Sequence, residues 1–169
     1  MRPFELKPIG IIRSEHREPG KTPIQPVYCP ECEGRVIVAP EYTEGLADIE
    51  GFSHIILLYW FDRAGPSALR VRPFLENREH GIFATRAPCR PNPIGFSVVT
   101  LLRREGGTLH VSGVDILDET PLLDIKPYSG RFDSVTQSRD GWQEGIGEDT
   151  ARRLGRRGFD SSNALESAA

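Results

Sequence analysis

Residues 53–61, "SHIILLYWF", contain the longest apolar run of the chain, from Ile55 to Phe61. An extended segment that is apolar at every position needs cover on both of its faces. The flanking sequence offers little helix to provide it. Instead "LKPIGIIRS" (6–14) reads as a first strand and "GRVIVAP" (34–40) as a second, with period-two alternation. "GIFATR" (81–86), "GFSVVTLLRRE" (95–105) and "TLHVSGVDILD" (108–118) follow as further strands, and Gly106-Gly107 forms a tight hairpin between the last two. "ETPLLDIKPYS" (119–129) adds a turn-and-strand segment. Repeated strands with turns and little helix give a mainly β fold: an antiparallel sheet curled into a small barrel that buries both faces, with a few short helices.

The remaining segments are punctuation. "TEGLADIEGF" (43–52) is predicted to be a short helix, capped by Thr43 and ended by Gly51. "DRAGPSALRVRPFLENREH" (62–80) is an Arg-rich loop broken by prolines, of a length that is usually functional or disordered. Apolar density falls after Asp133, so a domain over 1–135 and a peripheral extension over 136–169, frayed at its end, are expected. No repeat and no Gly-rich dinucleotide fingerprint is present.

Between two of the strands lies "RAPCRPNPIG" (86–95). Pro88, Pro91 and Pro93 bias Ala87, Arg90 and Asn92 toward extended geometry and remove three backbone donors. The result is a stiff arch with Arg86 at its foot, Arg90 on it, and Gly95 free to approach other backbone or side chains closely. A prefixed arch avoids the ordering cost of roughly 1–2 kcal/mol per residue that a flexible binding loop incurs. A binding arch is favoured over a proline-rich turn with incidental charges.

Net charge is −3 over 169 residues, which excludes a uniformly basic nucleic-acid binder. The basic residues are nevertheless 18 Arg against 3 Lys, and six arginines between residues 63 and 90 face only Glu76 and Glu79. A local surface for an anion follows, although a coding bias toward Arg explains the excess equally well. "RRLGRR" (152–157) reads as a solvated tail. No run approaches the roughly 20 apolar residues of a membrane span, and no signal-peptide block precedes the first charges. A cytoplasmic protein without membrane association is the expectation. Such a chain rarely keeps disulfides. "CPEC" (29–32) is therefore read as a surface turn. Cys89 and a histidine could complete a zinc set with it, but no spacing compels one, and no metal is expected.

Three more polar islands stand out: "KTPIQP" (21–26) with Gln25, "FDRAG" (61–65) with Asp62 and Arg63, and "LDETPLLDIKPY" (117–128). The last reads from spacing alone as a turn with an Asp–Lys ion pair, and His54 as a satisfied histidine at a strand start. No Ser-centred elbow, HExxH or P-loop occurs. The residues themselves thus imply a barrel with rigid Arg-bearing loops suited to an anionic or zwitterionic ligand, and no particular reaction.

At "GIFATRAPCRPNPIGFSVV" (81–99) the chain closely resembles the TsaA-like family, also called TrmO, of transfer-RNA methyltransferases dependent on S-adenosylmethionine. "IGIIRS" (9–14), "TPIQP" (22–26), "GLADIEGFSHIILLYWF" (45–61) and "DETPLLDIKPY" (118–128) agree in order, so the resemblance covers about residues 6–130. It implies a small non-Rossmann β-barrel, a homodimer with cofactor near the subunit interface, and methyl transfer to N6 of threonylcarbamoyladenosine in the tRNA anticodon loop. On the matching positions it implies cofactor contacts at Pro23, Ile24, Gln25, Asp62, Arg63, Arg86, Phe96, Thr120, Pro121 and Leu122. Asp124, Lys126 and Tyr128 would face the methyl-transfer region as catalytic residues, and Arg90 with Asn92 would address RNA. Members often carry His where Asp62 stands and Gly where Glu119 stands; a bulkier Glu119 is expected to narrow the pocket or change its loop. Bacterial members also carry an additional C-terminal domain; with about 40 residues here after the matched region, any RNA contact made by that domain is expected to come from elsewhere. Two other classes stay open: an S-adenosylmethionine-binding sensor without transfer, and a cofactor-independent RNA-binding barrel.

Overall fold

The computed structural model describes residues 5–159. Its strands in chain order are β1 (Gly10–Ser14), β2 (Glu33–Val38), β3 (His54–Trp60), β4 (Arg70–Val71), β5 (His80–Gly81), β6 (Ile94–Glu105), β7 (Thr108–Ser112) and β8 (Thr120–Pro127). Six of them close a barrel in the order β1-β2-β7-β6-β3-β8, every neighbouring pair antiparallel. β1 completes the ring: Gly10 faces Val38 of β2 on one side and Leu122 of β8 on the other. β4 and β5 form a separate two-stranded ladder inside the long Arg-rich segment.

The apolar run of β3 sits between β6 and β8 and is buried on both faces from Ile55 to Leu57. Its inward residues Ile55, Leu57 and Tyr59 meet Ile12, Val36, Val99, Val111 and Leu122 in the barrel core. β6 is long enough to turn a corner. Its first half pairs with β3 and its second half with β7, with a register shift after Leu101. The two-residue Gly106-Gly107 loop sets Glu105 opposite Thr108.

Three expected elements differ. The helix predicted over 43–52 is two tight 3-10 turns, Pro40–Leu46 and Ile49–Gly51, separated by Asp48 in the left-handed region at φ 65°. The Thr43 hydroxyl caps nothing; it reaches back to the Ala39 carbonyl. The strand predicted over 81–86 keeps only Gly81 in a ladder and winds into a 3-10 turn, Ile82–Ala84. The strand expected over 108–118 stops at Ser112, before Gly113 at φ 81°.

The C-terminal segment lies against the barrel. It contains α1 (Gly130–Asp133), a 3-10 turn at Gly141–Gly145 and α2 (Glu148–Arg156). α2 packs through Gly155, where a Cβ would fall 2.4 Å from the Tyr28 ring. The Gly155 carbonyl accepts the Ile24 N–H at 2.9 Å, and Arg156 pairs with Glu31 at 2.8 Å. The expected fraying concerns residues 160–169, which lie outside the described ones. "CPEC" is not a reduced surface turn: Cys29 and Cys32 are joined by a disulfide and both are buried. No helix among the described residues is long and apolar enough to cross a membrane.

Candidate functional site

At one end of the barrel the loops leave a cleft of about 950 Å³. The first proline loop forms one wall, the arch and the start of β6 another, and the turn after β3 a third. Stiffness comes from the sequence. Pro19 and Pro26 each begin a single 3-10 turn, and the arch prolines leave few free donors. What remains is tied down: the Pro93 carbonyl accepts Phe61 N–H at 2.8 Å and the Cys89 carbonyl accepts Ala68 N–H at 3.1 Å.

Arg86 joins the two proline loops. Its guanidinium donates to the Gln25 side-chain oxygen and lies 5.7 Å from the Phe96 ring centroid. Arg63 fixes the opposite rim, donating to the Asp118 carbonyl at 2.7 Å and the Thr120 hydroxyl at 2.9 Å, with Asp62 beside it at 3.3 Å. Arg90 turns inward on its own arch and donates to the carbonyls of Ile82 and Thr85 at 3.1 and 2.7 Å. Those two bonds explain why residues 82–85 curl instead of extending.

The floor is polar and buried. Tyr59 OH lies 3.1 Å from Ser97 Oγ, which donates to Asp115 Oδ1 at 2.6 Å. Gly95 makes room for this arrangement, since a Cβ there would fall 2.1 Å from the Tyr59 ring. Burial pushes the Asp115 carboxyl up from 3.8 to about 7, opposed by the Ser97 hydrogen bond and more weakly by Arg86. Burial and the nearby Asp115 charge push the Tyr59 phenol well above its usual range.

Of the residues singled out from sequence, Pro23, Ile24, Gln25, Asp62, Arg63, Arg86, Arg90, Phe96 and Thr120 line this cleft. The others stand elsewhere. Leu122 is wholly buried in the core, Pro121 faces Ile11 in the ladder, and Asn92 is exposed outside the cleft. Asp124 and Lys126 pair with each other at 2.6 Å across from Leu58 and Ile56, and Tyr128 packs edge-on to His54. Within one chain none of these three lines the cleft. Glu119 does not narrow it either. Its backbone is left-handed at φ 64° and its carboxylate points out to Arg13 at 3.0 Å.

Sequence reasoning missed Tyr59, Ser97 and Asp115, and the wall supplied by the C-terminal segment. Asp115 had a signal, a lone carboxylate inside the apolar "VSGVDIL". The wall had none. Trp142 stacks on His80 with ring centroids 4.7 Å apart and donates its indole N–H to the Ala84 carbonyl at 2.8 Å. Arg157, expected in a solvated tail, lies 3.9 Å over the Phe74 ring, and burial lowers its pKa. The cleft thus combines guanidinium groups, aromatic faces and carboxylates, a set matched to a ligand that is part aromatic and part zwitterionic.

The family model of the tRNA-methyltransferase O N-terminal domain matches residues 11–134. A probable S-adenosyl-L-methionine-binding protein of Pyrococcus abyssi is 56% identical over 138 residues, covering 82% of this chain and 75% of that protein. The human tRNA (adenine(37)-N6)-methyltransferase is 35% identical over 137 residues, covering 76% of this chain and 31% of the human one. A crystal structure of TrmO superposes with a TM-score of 0.72 at 43% identity, covering 83% of this chain and 64% of the TrmO chain.

Proposed function

The chain belongs to the tRNA-methyltransferase O N-terminal domain family, and from that premise we propose that it methylates N6 of threonylcarbamoyladenosine in a tRNA anticodon loop, using S-adenosylmethionine held in the cleft. Cofactor dependence comes with the family and its relatives; the RNA position is the finer reading. The observation that carries the cofactor site is the Arg86–Gln25 bridge, which locks two proline loops over a floor ending in Asp115.

The residues present suit the cofactor. Phe96 offers a face to an adenine, the rim guanidinium groups Arg86 and Arg63 suit a carboxylate, and Asp62 suits an ammonium or sulfonium charge. Bound there, the cofactor supplies an electrophilic methyl group on a positively charged sulfur. The chain's own contribution is positioning: stiff loops that align nucleophile and methyl account for up to about 7–11 kcal/mol of barrier lowering. N6 must also lose a proton. Asp115, with its carboxyl near 7, accepts it at neutral pH in this reading, and Ser97 and Tyr59 hold the carboxylate oriented. Asp124, Lys126 and Tyr128 lie outside the cleft of their own chain, and in this reading they act from a second copy in a homodimer.

Isothermal titration of S-adenosylmethionine into the parent and Arg86→Ala tests the cofactor site. Saturable binding by the parent, weakened at least about tenfold by the substitution, is expected. Equal binding by both would remove Arg86 from the site. Methyl transfer to tRNA carrying threonylcarbamoyladenosine is the companion assay. Cofactor binding with no methylated product on any tRNA would leave the sensor reading.

A further inference from the structure

Just past β1, against the Gly113–Val114 backbone, four potential ligands converge that the methyl-transfer reading leaves without a role. One ligand atom each from Glu15, His16 and Cys32 lie within 4.8 Å of one another. Cys29 joins them through its bond to Cys32. His16 is 3% exposed, and its Nδ1 is the one buried side-chain polar atom among the described residues with no hydrogen-bond partner. Its other nitrogen, Nε2, lies 2.8 Å from the Val114 carbonyl. A carbonyl can only accept, so Nε2 carries the proton and Nδ1 presents a bare lone pair. A histidine whose second N–H is held by a backbone carbonyl is the usual arrangement of a metal-binding imidazole.

We propose that, with the Cys29–Cys32 disulfide opened, Cys29, Cys32, His16 and Glu15 bind a zinc-class divalent cation. Two thiolates, an imidazole and a carboxylate make a closed tetrahedral set of soft, borderline and hard donors, a mixture that zinc accepts. A tetrahedral ion with bonds of about 2.0–2.3 Å holds its ligands about 3.5 Å apart. The cluster therefore needs only to contract by side-chain rotation, which cleavage of the S–S bond permits. The Cys32 backbone is already arranged as a ligand turn: its N–H donates to the Cys29 carbonyl at 3.1 Å, and its own carbonyl accepts from Gly113 and Val114 at 2.8 and 3.0 Å. Opening takes two electrons from a dithiol, which leaves as its own disulfide while two protons reach the cysteine sulfurs. Both protons are released when the thiolates bind the cation. Disulfide and metal are thus alternative clasps. The disulfide closes only the turn after the loop carrying Pro23–Tyr28, which walls the cleft, whereas the metal also ties that turn to Glu15 and His16 just past β1.

The test uses cobalt(II) as the spectroscopic stand-in for zinc. The full chain is reduced anaerobically with a phosphine, desalted and titrated. One equivalent per chain is expected, with a thiolate-to-cobalt charge-transfer band and the visible bands of tetrahedral cobalt, both abolished by added zinc. The oxidised parent should show neither, and reduced Cys89→Ser should match the reduced parent. His16→Gln should weaken binding at least tenfold. Glu15→Gln, an exposed change that leaves the fold intact, should shift the visible bands while keeping the charge transfer. Absence of both bands in the reduced parent overturns the site, as does a Glu15→Gln spectrum identical to the parent's together with an unchanged His16→Gln affinity. Equal binding by oxidised and reduced protein overturns the coupling to the disulfide.

Discussion

Asp115 makes stability depend on pH in a defined direction. Its carboxyl ionises near 3.8 when the chain is unfolded and near 7 when folded, because burial penalises the charge. The protonated form fits the barrel, so its contribution is complete below about pH 4, declines as pH rises toward 7, and is gone above that. At about 1.4 kcal/mol per pH unit the loss is on the order of 4 kcal/mol. Urea midpoints of the parent should therefore carry this fall between pH 4 and 7, and Asp115→Asn should flatten it; parallel curves for the two proteins would refute the assignment. Glu119 makes the opposite kind of statement. It occupies a left-handed position that favours glycine and turns away from the cleft. Glu119→Gly should bind S-adenosylmethionine within about twofold of the parent, a difference of under half a kcal/mol. A larger change would mean that the residue reaches the ligand after all.

At the level of elements, the cleft floor depends on the contact between β3 and β6. Adding one methyl group in Gly95→Ala forces the Tyr59 ring out of place. The expected cost is about 1–3 kcal/mol, read as a lower thermal midpoint, together with weaker cofactor binding from a disturbed Tyr59–Ser97–Asp115 chain. Unchanged values in both measurements would show that β6 can slide. Elements with dense local signals were legible in the sequence: β3 from its unbroken apolar run, and the β6–β7 hairpin from two adjacent glycines. Residues 43–52 were not, because Asp48 adopts a left-handed turn that no propensity announces. Residues 81–86 were not either, since the two Arg90 hydrogen bonds that curl them come from outside the segment. The site divided along the same line. The proline loops stood out in the text, whereas Asp115 belongs to the floor only because β6 and the chain after β7 meet there.

Across the whole molecule, the segment after the barrel completes the binding cleft without contributing to the ring of strands. It was illegible because its contacts are single groups: a glycine backbone, an indole N–H, and one guanidinium over a ring. A chain ending at residue 135 should keep a cooperatively unfolding barrel while losing about tenfold or more in cofactor affinity, since Trp142 and Arg157 leave the wall. Full affinity in the shortened protein would make that wall incidental. The barrel itself is closed by a pairing between its first and last strands, Gly10 with Leu122. Because that ring cannot form until nearly all of its sequence is available, a nascent chain on the ribosome must carry its first strands with unsatisfied edges through most of synthesis. The topology then predicts one late, long-range closure, on the millisecond-to-second scale of β proteins with distant contacts, during which the new chain presents open strand edges that its finished, edgeless form does not.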